Sequence, residues 1–273
     1  MPLLKISPDA RSTALGETGV AGAAGSMAAF HNPALLTFAK SSEATFGYSD
    51  WILDLTIQTG ALLFKSGKTA LGISFNAFTV PDLELRTLPS DDPLQTFSAH
   101  DVTAGFSIAH LFGEKLALGG TARYLSQQIY IENSSGFSVD LGAVYRLSIN
   151  DLKVGVVLMN LGSMSALDEE NTTLPTYGAA GVSGRIIRSD DFGLRSSADL
   201  RLYLENDVRL HAGLEGSWKE HLFLRAGYQT GSELRSFSGG MGFGWKGYRF
   251  DYAYQPLAED FGASHRFAIS ISF

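Results

Sequence analysis

Six histidines are the side chains best suited to proton transfer or metal binding near neutral pH: His31, His100, His110, His211, His221 and His265. They are scattered, and none sits in a spacing that marks a nucleophile or a metal site. Ser197, Asp199 and His211 have the types of a hydrolytic triad, yet alternating strands bring such neighbours together by chance. The chain therefore reads as non-enzymatic, with no catalytic residue, no metal and no cofactor. With no cysteine it has no disulfide, no thiolate site and no lipid-bearing cysteine. A larger charged set is Arg123, Arg146, Arg195, Arg201, Arg209, Arg225 and Arg249 with Asp140, Asp199, Glu215 and Asp251. Each falls on one face of an alternating segment. Turned into a low-dielectric interior, such groups must be paired or wet, so they read as a structural ion-pair network.

The elements that would hold them are strands. At the end of the chain Phe267, Ile269, Ile271 and Phe273 point one way, and Arg266, Ala268, Ser270 and Ser272 the other. Similar alternation runs over 137–147, 192–202, 208–218, 237–245 and 248–255. Weaker versions lie near 44–49, 54–65, 68–79, 102–112, 115–130, 152–161, 175–187 and 222–230. The spacing predicts about fourteen strands, an even number as in single-chain bacterial barrels. Every second gap is tight: Ser66-Gly67, Gly113-Glu114, Asn150-Asp151, Ser189-Asp190, Lys219-Glu220 and Lys246-Gly247. The gaps between them are more variable and include Pro81–Asp101, Gly162–Leu174 and Leu257–Ala263. Sorting of loops by parity is a property of outer-membrane barrels, with the short rim periplasmic.

A soluble sandwich would also alternate. Its outer face, however, would carry Lys, Glu and Thr, whereas the polar face here is Gly, Ser, Arg and Asp. The expected fold is all-β, a transmembrane antiparallel barrel facing outer-membrane lipid. Composition agrees: no run of eighteen apolar residues could form a helical span, and 30 glycines with 11% aromatics suit twisted strands and interfacial girdles. A net charge of −7 argues against nucleic acid as a partner. Met1-Pro2-Leu3-Leu4-Lys5 lacks an export-signal pattern, so the barrel reading expects that signal to lie outside these residues.

Residues 1–42 do not alternate. They are rich in Gly and Ala and form a separate unit from the barrel of 43–273. A wide barrel leaves a lumen that side chains alone do not fill, and a compact N-terminal segment would plug it. Asn32-Pro33-Ala34 suits a pinned turn, because Pro33 fixes its own φ and biases Asn32 to an extended conformation. Arg11 is the cation placed to meet the luminal charges.

Ser7-Pro8-Asp9-Ala10-Arg11-Ser12-Thr13-Ala14-Leu15-Gly16-Glu17-Thr18-Gly19-Val20-Ala21 resembles the opening of the PorV/PorQ family of outer-membrane barrels. Phe30-His31-Asn32-Pro33-Ala34-Leu35-Leu36 is similar to that family's Asn-Pro-Ala segment, shared more loosely with FadL-type transporters. Asp251-Tyr252-Ala253-Tyr254 and His265-Arg266-Phe267 resemble its closing hairpin. His31 departs from the usual Trp, and Leu36 from an expected Gly. The resemblance implies a FadL-like fourteen-stranded barrel with an N-terminal hatch in the bacterial outer membrane.

It also implies a role in type IX protein secretion or surface attachment of cargo, with a translocon or secreted cargo as protein partner. The long-rim loops would do the binding, chiefly Pro81–Asp101 with Pro81, Leu83, Leu85, Leu88 and Leu94. The alternative implied by FadL-type transporters is a channel for hydrophobic small molecules, with a ligand near Phe30, Leu35, Leu36 and Phe38. Plain packing of those four residues against the wall is the expectation.

Overall fold

Alternation in this chain places apolar side chains outside and polar ones inside. In strand β10 (Val208–Trp218) Leu210 and Leu214 are 54% and 49% exposed, while His211 and Glu215 next to them are 3% and 8% exposed. A water-soluble sheet does the reverse. In a computed structural model, which describes residues 1–52, 55–86, 92–167, 172–204, 207–259 and 261–273, an exposed apolar outer face runs around a complete ring, while the inward face is mainly polar with apolar residues such as Ile57, Leu63 and Val144 among it.

The ring begins with β1 (Glu43–Asp50), β2 (Thr56–Ser66), β3 (Thr69–Leu85), β4 (Gln95–Phe112) and β5 (Leu116–Ile129). It continues with β6 (Glu132–Arg146), β7 (Lys153–Met164), β8 (Tyr177–Arg188) and β9 (Phe192–Tyr203). After β10 come β11 (Leu222–Gln229), β12 (Phe237–Trp245), β13 (Tyr248–Pro256) and β14 (Ala263–Ser272). Each strand pairs antiparallel with its sequence neighbours, and β1 pairs with β14 from Glu43↔Ser272 to Asp50↔His265. Closure leaves no sheet edge, which is the condition for a β-structure to lie in hydrocarbon. No described helix is long and apolar enough to cross a membrane.

The tight turns share one rim with the start of β1 and the end of β14. Lys219-Glu220 and Lys246-Gly247 have positive φ at both residues, the mirror-image turn geometry that matches strand twist. The opposite rim differs from the sequence expectation. Pro81, Leu83 and Leu85 lie in β3, and 95–101 already belongs to β4, so the connection is only 86–94. Leu94 sits in that connection, and Leu88 lies outside the described residues. Pro81 cannot donate to a ladder, which would suit a loop. The strand accommodates it at a register shift between Val80 and Leu83, with Asp82 at φ 51°. Gly162 likewise belongs to β7. The β5–β6 connection on this rim is only 130–131.

The N-terminal residues form one short helix, α1 (Ala10–Ala14), and 3-10 turns at Pro2–Lys5, Gly25–Phe30 and Pro33–Phe38. Asp9 caps α1 by accepting from the Arg11 amide at 3.0 Å. Helix α1 packs on β11–β14, while Pro33–Phe38 packs on β2–β6 across the ring. Leu35 and Leu36 are buried with Leu63, Ala117 and Val144. The wall makes room with glycine. A methyl group on Gly227 would overlap the Leu15–Gly16 backbone, and one on Gly142 would overlap the Asn32 side chain.

The outward face sets a measurable sensitivity. Leu214→Arg, near the middle of β10, should lower the unfolding free energy in lipid vesicles by about 2–4 kcal/mol. Gly142→Val should leave the barrel closed but expose the N-terminal segment to added protease.

Candidate functional site

The inward face carries charges that a barrel of this width must neutralise internally. The N-terminal segment supplies much of what they need. Near the short-turn rim Arg11 meets Glu215 with two parallel bonds, Nε to Oε2 and Nη2 to Oε1, both 2.9 Å. This fork geometry is the strong form of an arginine–carboxylate pair. Arg225 Nε donates to the same Glu215 Oε2 at 2.7 Å, and Arg225 Nη1 reaches Asp251 Oδ1 at 2.7 Å. Arg249 Nε closes the chain on Asp251 Oδ2 at 2.9 Å. Three guanidinium groups from two parts of the molecule thus share two carboxylates.

A second centre surrounds Glu17, whose backbone is left-handed at φ 62°. Arg235 Nη1 donates to Glu17 Oε1 at 2.7 Å, Arg201 Nη1 lies 3.8 Å from Oε2, and Arg201 also donates to the Glu17 carbonyl. Burial alone would raise the Glu17 carboxyl, but the Arg235 and Arg201 charges outweigh it and hold it at about 2. Trp51 lies beneath both Arg235 and Arg266, at 5.3 and 4.8 Å. Arg266 reaches further and donates to the Ser7 carbonyl.

The three residues with triad chemistry are spent separately. His211 and Asp199 are cross-strand partners, yet His211 Nδ1 contacts the Gly16 carbonyl at 2.7 Å. Asp199 Oδ2 accepts the Gly19 and Val20 amides at 2.7 and 3.0 Å. Ser197 Oγ donates to Ser183 Oγ at 2.9 Å. No proton relay connects them, and each but the serine fastens the N-terminal backbone.

Asn32 is fully buried. Its Nδ2 donates to the Val20 carbonyl at 2.7 Å and to the Ala143 carbonyl of β6 at 3.4 Å, and its Oδ1 accepts the Ala34 amide at 3.1 Å. Pro33 opens the following 3-10 turn, and Ala34 packs beside Gly119 of β5. Asn32, Pro33 and Ala34 therefore gather at the β5–β6 wall, while Arg11 sits at β10–β11. Phe38 lies under Arg146 and Lys153, at 5.2 and 5.0 Å.

Some inward charges serve the wall itself. Arg123 pairs with Asp140 at 2.7 Å, and Asp140 Oδ1 accepts the Asn160 amide at a register shift in β6–β7. Arg195 and Arg209 pair with Asp151 and Asp207. Sequence reasoning missed Glu17 and Arg235 as partners. Arg235 lies on the 230–236 connection, where no alternation flags an inward residue. The Glu17 signal was its place inside a run of otherwise small residues.

A closed fourteen-stranded ring with an apolar outer face, a charged lumen and short turns on one rim is a transmembrane barrel of the bacterial outer-membrane class. The family described as type IX secretion system protein PorV matches residues 1–160. The chain belongs to the PorV family and is an outer-membrane barrel of type IX secretion. A search of curated proteins finds no match.

Several solved outer-membrane channels share the fold. The CymD monoaromatic hydrocarbon channel superposes with a TM-score of 0.67 at 15% identity, covering 99% of this chain and 98% of that one. The Ralstonia pickettii toluene transporter TbuX gives 0.64 at 14% identity, with 98% of each chain covered. The Pseudomonas putida toluene transporter TodX gives 0.67 at 12% identity, with 96% of each covered. At these identities the likeness is one of fold.

Removal of the shared carboxylate should be felt at once. Glu215→Gln leaves the buried Arg11 and Arg225 and the half-buried Arg249 with Asp251 as their one carboxylate and should cost about 3–5 kcal/mol of local stability. Trypsin should then cleave after Arg11 in membrane-embedded protein, where the unaltered chain resists.

Acid should act through His31. Burial lowers it from 6.5 to about 4, against the opposing pull of Asp9, whose Oδ2 lies 3.7 Å from Nε2. The folded state therefore binds this proton less readily than the unfolded chain. Stability is highest above pH 6.5 and falls as pH drops towards 4. Amide exchange of Ala10–Ala14 should accelerate over that window, and His31→Gln should weaken the dependence.

Proposed function

We propose that the barrel is a docking partner of secreted cargo or of the translocon, with residues 1–42 as a hatch that keeps the lumen shut. The unit would have no catalytic role. The observation that carries this reading is the height of one side of the wall. A membrane strand needs about 9–11 residues. Strands β3 and β4 have 17 and 18, whereas β12 and β13 have 9 each.

The surplus of β3 and β4 is about 6–9 residues, roughly 20–30 Å of strand. It lies on the long-loop rim, which by the barrel rule faces outward from the cell. Leu83 pairs with Phe97, whose ring meets Tyr130 at 5.2 Å, so the β5–β6 turn props the hairpin. Along this crest Leu94, in the β3–β4 connection, and Ile131, in the adjoining β5–β6 turn, are 66% and 70% exposed. A raised surface with exposed apolar side chains suits protein contact better than free solvation.

Channel activity is the competing reading. A hydrophobic molecule passing beside the hatch would have to part Leu35 and Leu36 from Leu63 and Val144, which are packed together.

Photo-crosslinking groups at Leu94 and Ile131 test the proposal in cells that secrete type IX cargo. The expected products are adducts with a protein of the secretion machinery or its cargo, and none from a group placed at Leu214. Absence of protein adducts at both crest positions, together with steady conductance of the purified barrel in planar bilayers, would favour the channel instead.

A further inference from the structure

The lipid-facing wall is not evenly convex. A groove of about 750 Å³ runs across β10–β14 and β1, with Gly216 in its floor and Trp218, Met241, Phe243, Phe250 and Phe267 among its walls. Its surface is almost wholly apolar and aromatic. A second cavity, of about 990 Å³, lies at the short-turn rim. Phe192, Ser217 and Phe223 line both, so the two meet at the ends of β9–β11.

The second cavity is rich in cations. Nine Lys and Arg side chains and five carboxylates line it; Arg11, Arg195 and Arg249 among them are already paired with Glu215, Asp151 and Asp251. Every lysine beyond Lys5 lies at this rim. Two of them sit over the tryptophans that end their strands: Lys219 Nζ is 5.3 Å from the Trp218 ring and Lys246 Nζ 4.9 Å from the Trp245 ring. Lys219 is shared with Asp191 at 3.8 Å. Among the described residues no carboxylate lies within ion-pairing distance of Lys246 or of Arg188, at the end of β8.

We propose that these two features form one binding site for an anionic phospholipid of the periplasmic leaflet. An acyl chain would lie in the aromatic groove, and the phosphate would meet Lys219 and Lys246 at the rim. Aromatic side chains and snorkelling lysines at headgroup depth are suited to these two ends of one molecule. Lys246, which no described carboxylate neutralises, favours a headgroup with net negative charge over a zwitterionic one. The groove and the cations are also on the same side of the barrel, away from the raised β3–β4 wall.

Native mass spectrometry of the full chain in detergent can test this, with phosphatidylglycerol and phosphatidylcholine of identical acyl chains and with inorganic phosphate as competitor. The chain should retain phosphatidylglycerol in preference to phosphatidylcholine. Lys219→Gln with Lys246→Gln should cut that preference by about five-fold per lysine while leaving phosphatidylcholine retention unchanged. Gly216→Trp has room for its Cβ, whose nearest neighbours are 3.9 Å away, and should fill the groove and lower retention of both lipids.

Heat-shifted gel migration confirms that each variant remains a folded barrel. Equal retention of the two lipids, or an undiminished preference in the double lysine variant, overturns the proposal. Full displacement by millimolar inorganic phosphate would show a phosphate site without a lipid and overturns it equally.

Discussion

Charged groups facing the inside of a lipid-embedded ring must find partners there, and this requirement shapes the rest of the molecule. The outer wall is committed to hydrocarbon, so it cannot carry the arginines. The lumen is too wide for opposing strands to neutralise one another directly. The N-terminal segment closes that gap: Arg11 completes the Glu215 cluster, and Glu17 receives Arg201 and Arg235. Backbone groups of Gly16, Gly19 and Val20 engage His211 and Asp199. Barrel and segment are therefore one electrostatic unit. Buried ion pairs of this kind add less net stability than their number suggests, but removing one member leaves a costly orphan.

Glycine is the steric counterpart of this arrangement. Gly119, Gly142 and Gly155 stand where the segment touches β5–β7, and Gly213 and Gly227 where it touches β10 and β11. Each admits backbone or a capped side chain at a distance that no Cβ would permit. Charge fixes which strands the segment meets, and glycine fixes how closely. The same wall turns outward with a continuous apolar face, so each strand serves two solvents through a two-residue period.

Much of this was legible in the residues. Val208–Trp218 and Phe237–Trp245 were bounded correctly by alternation alone, because lipid and lumen impose opposite demands on successive positions. The parity of tight turns also marked one rim. The upper parts of β3 and β4 were not legible, since Pro81 and Asp82 at a bulge resemble a loop and interrupt the alternation before Leu83 pairs with Phe97. The Glu17–Arg235 pair was equally hidden. It joins positions 218 residues apart, and neither lies in a periodic segment. Glycines read as general strand twist acquired their meaning only from the backbone they face.

The absence of native cysteine allows a direct measurement on the membrane-embedded chain. An ideal Cβ on Gly22 would lie 2.8 Å from Ser197 Oγ of β9, close enough for a disulfide between Gly22→Cys and Ser197→Cys with modest adjustment. If the N-terminal segment is held inside the ring by the luminal charges, the pair should oxidise nearly completely in intact outer membranes and the barrel should retain its folded gel mobility. Failure of the two thiols to join in a correctly folded barrel would contradict the account.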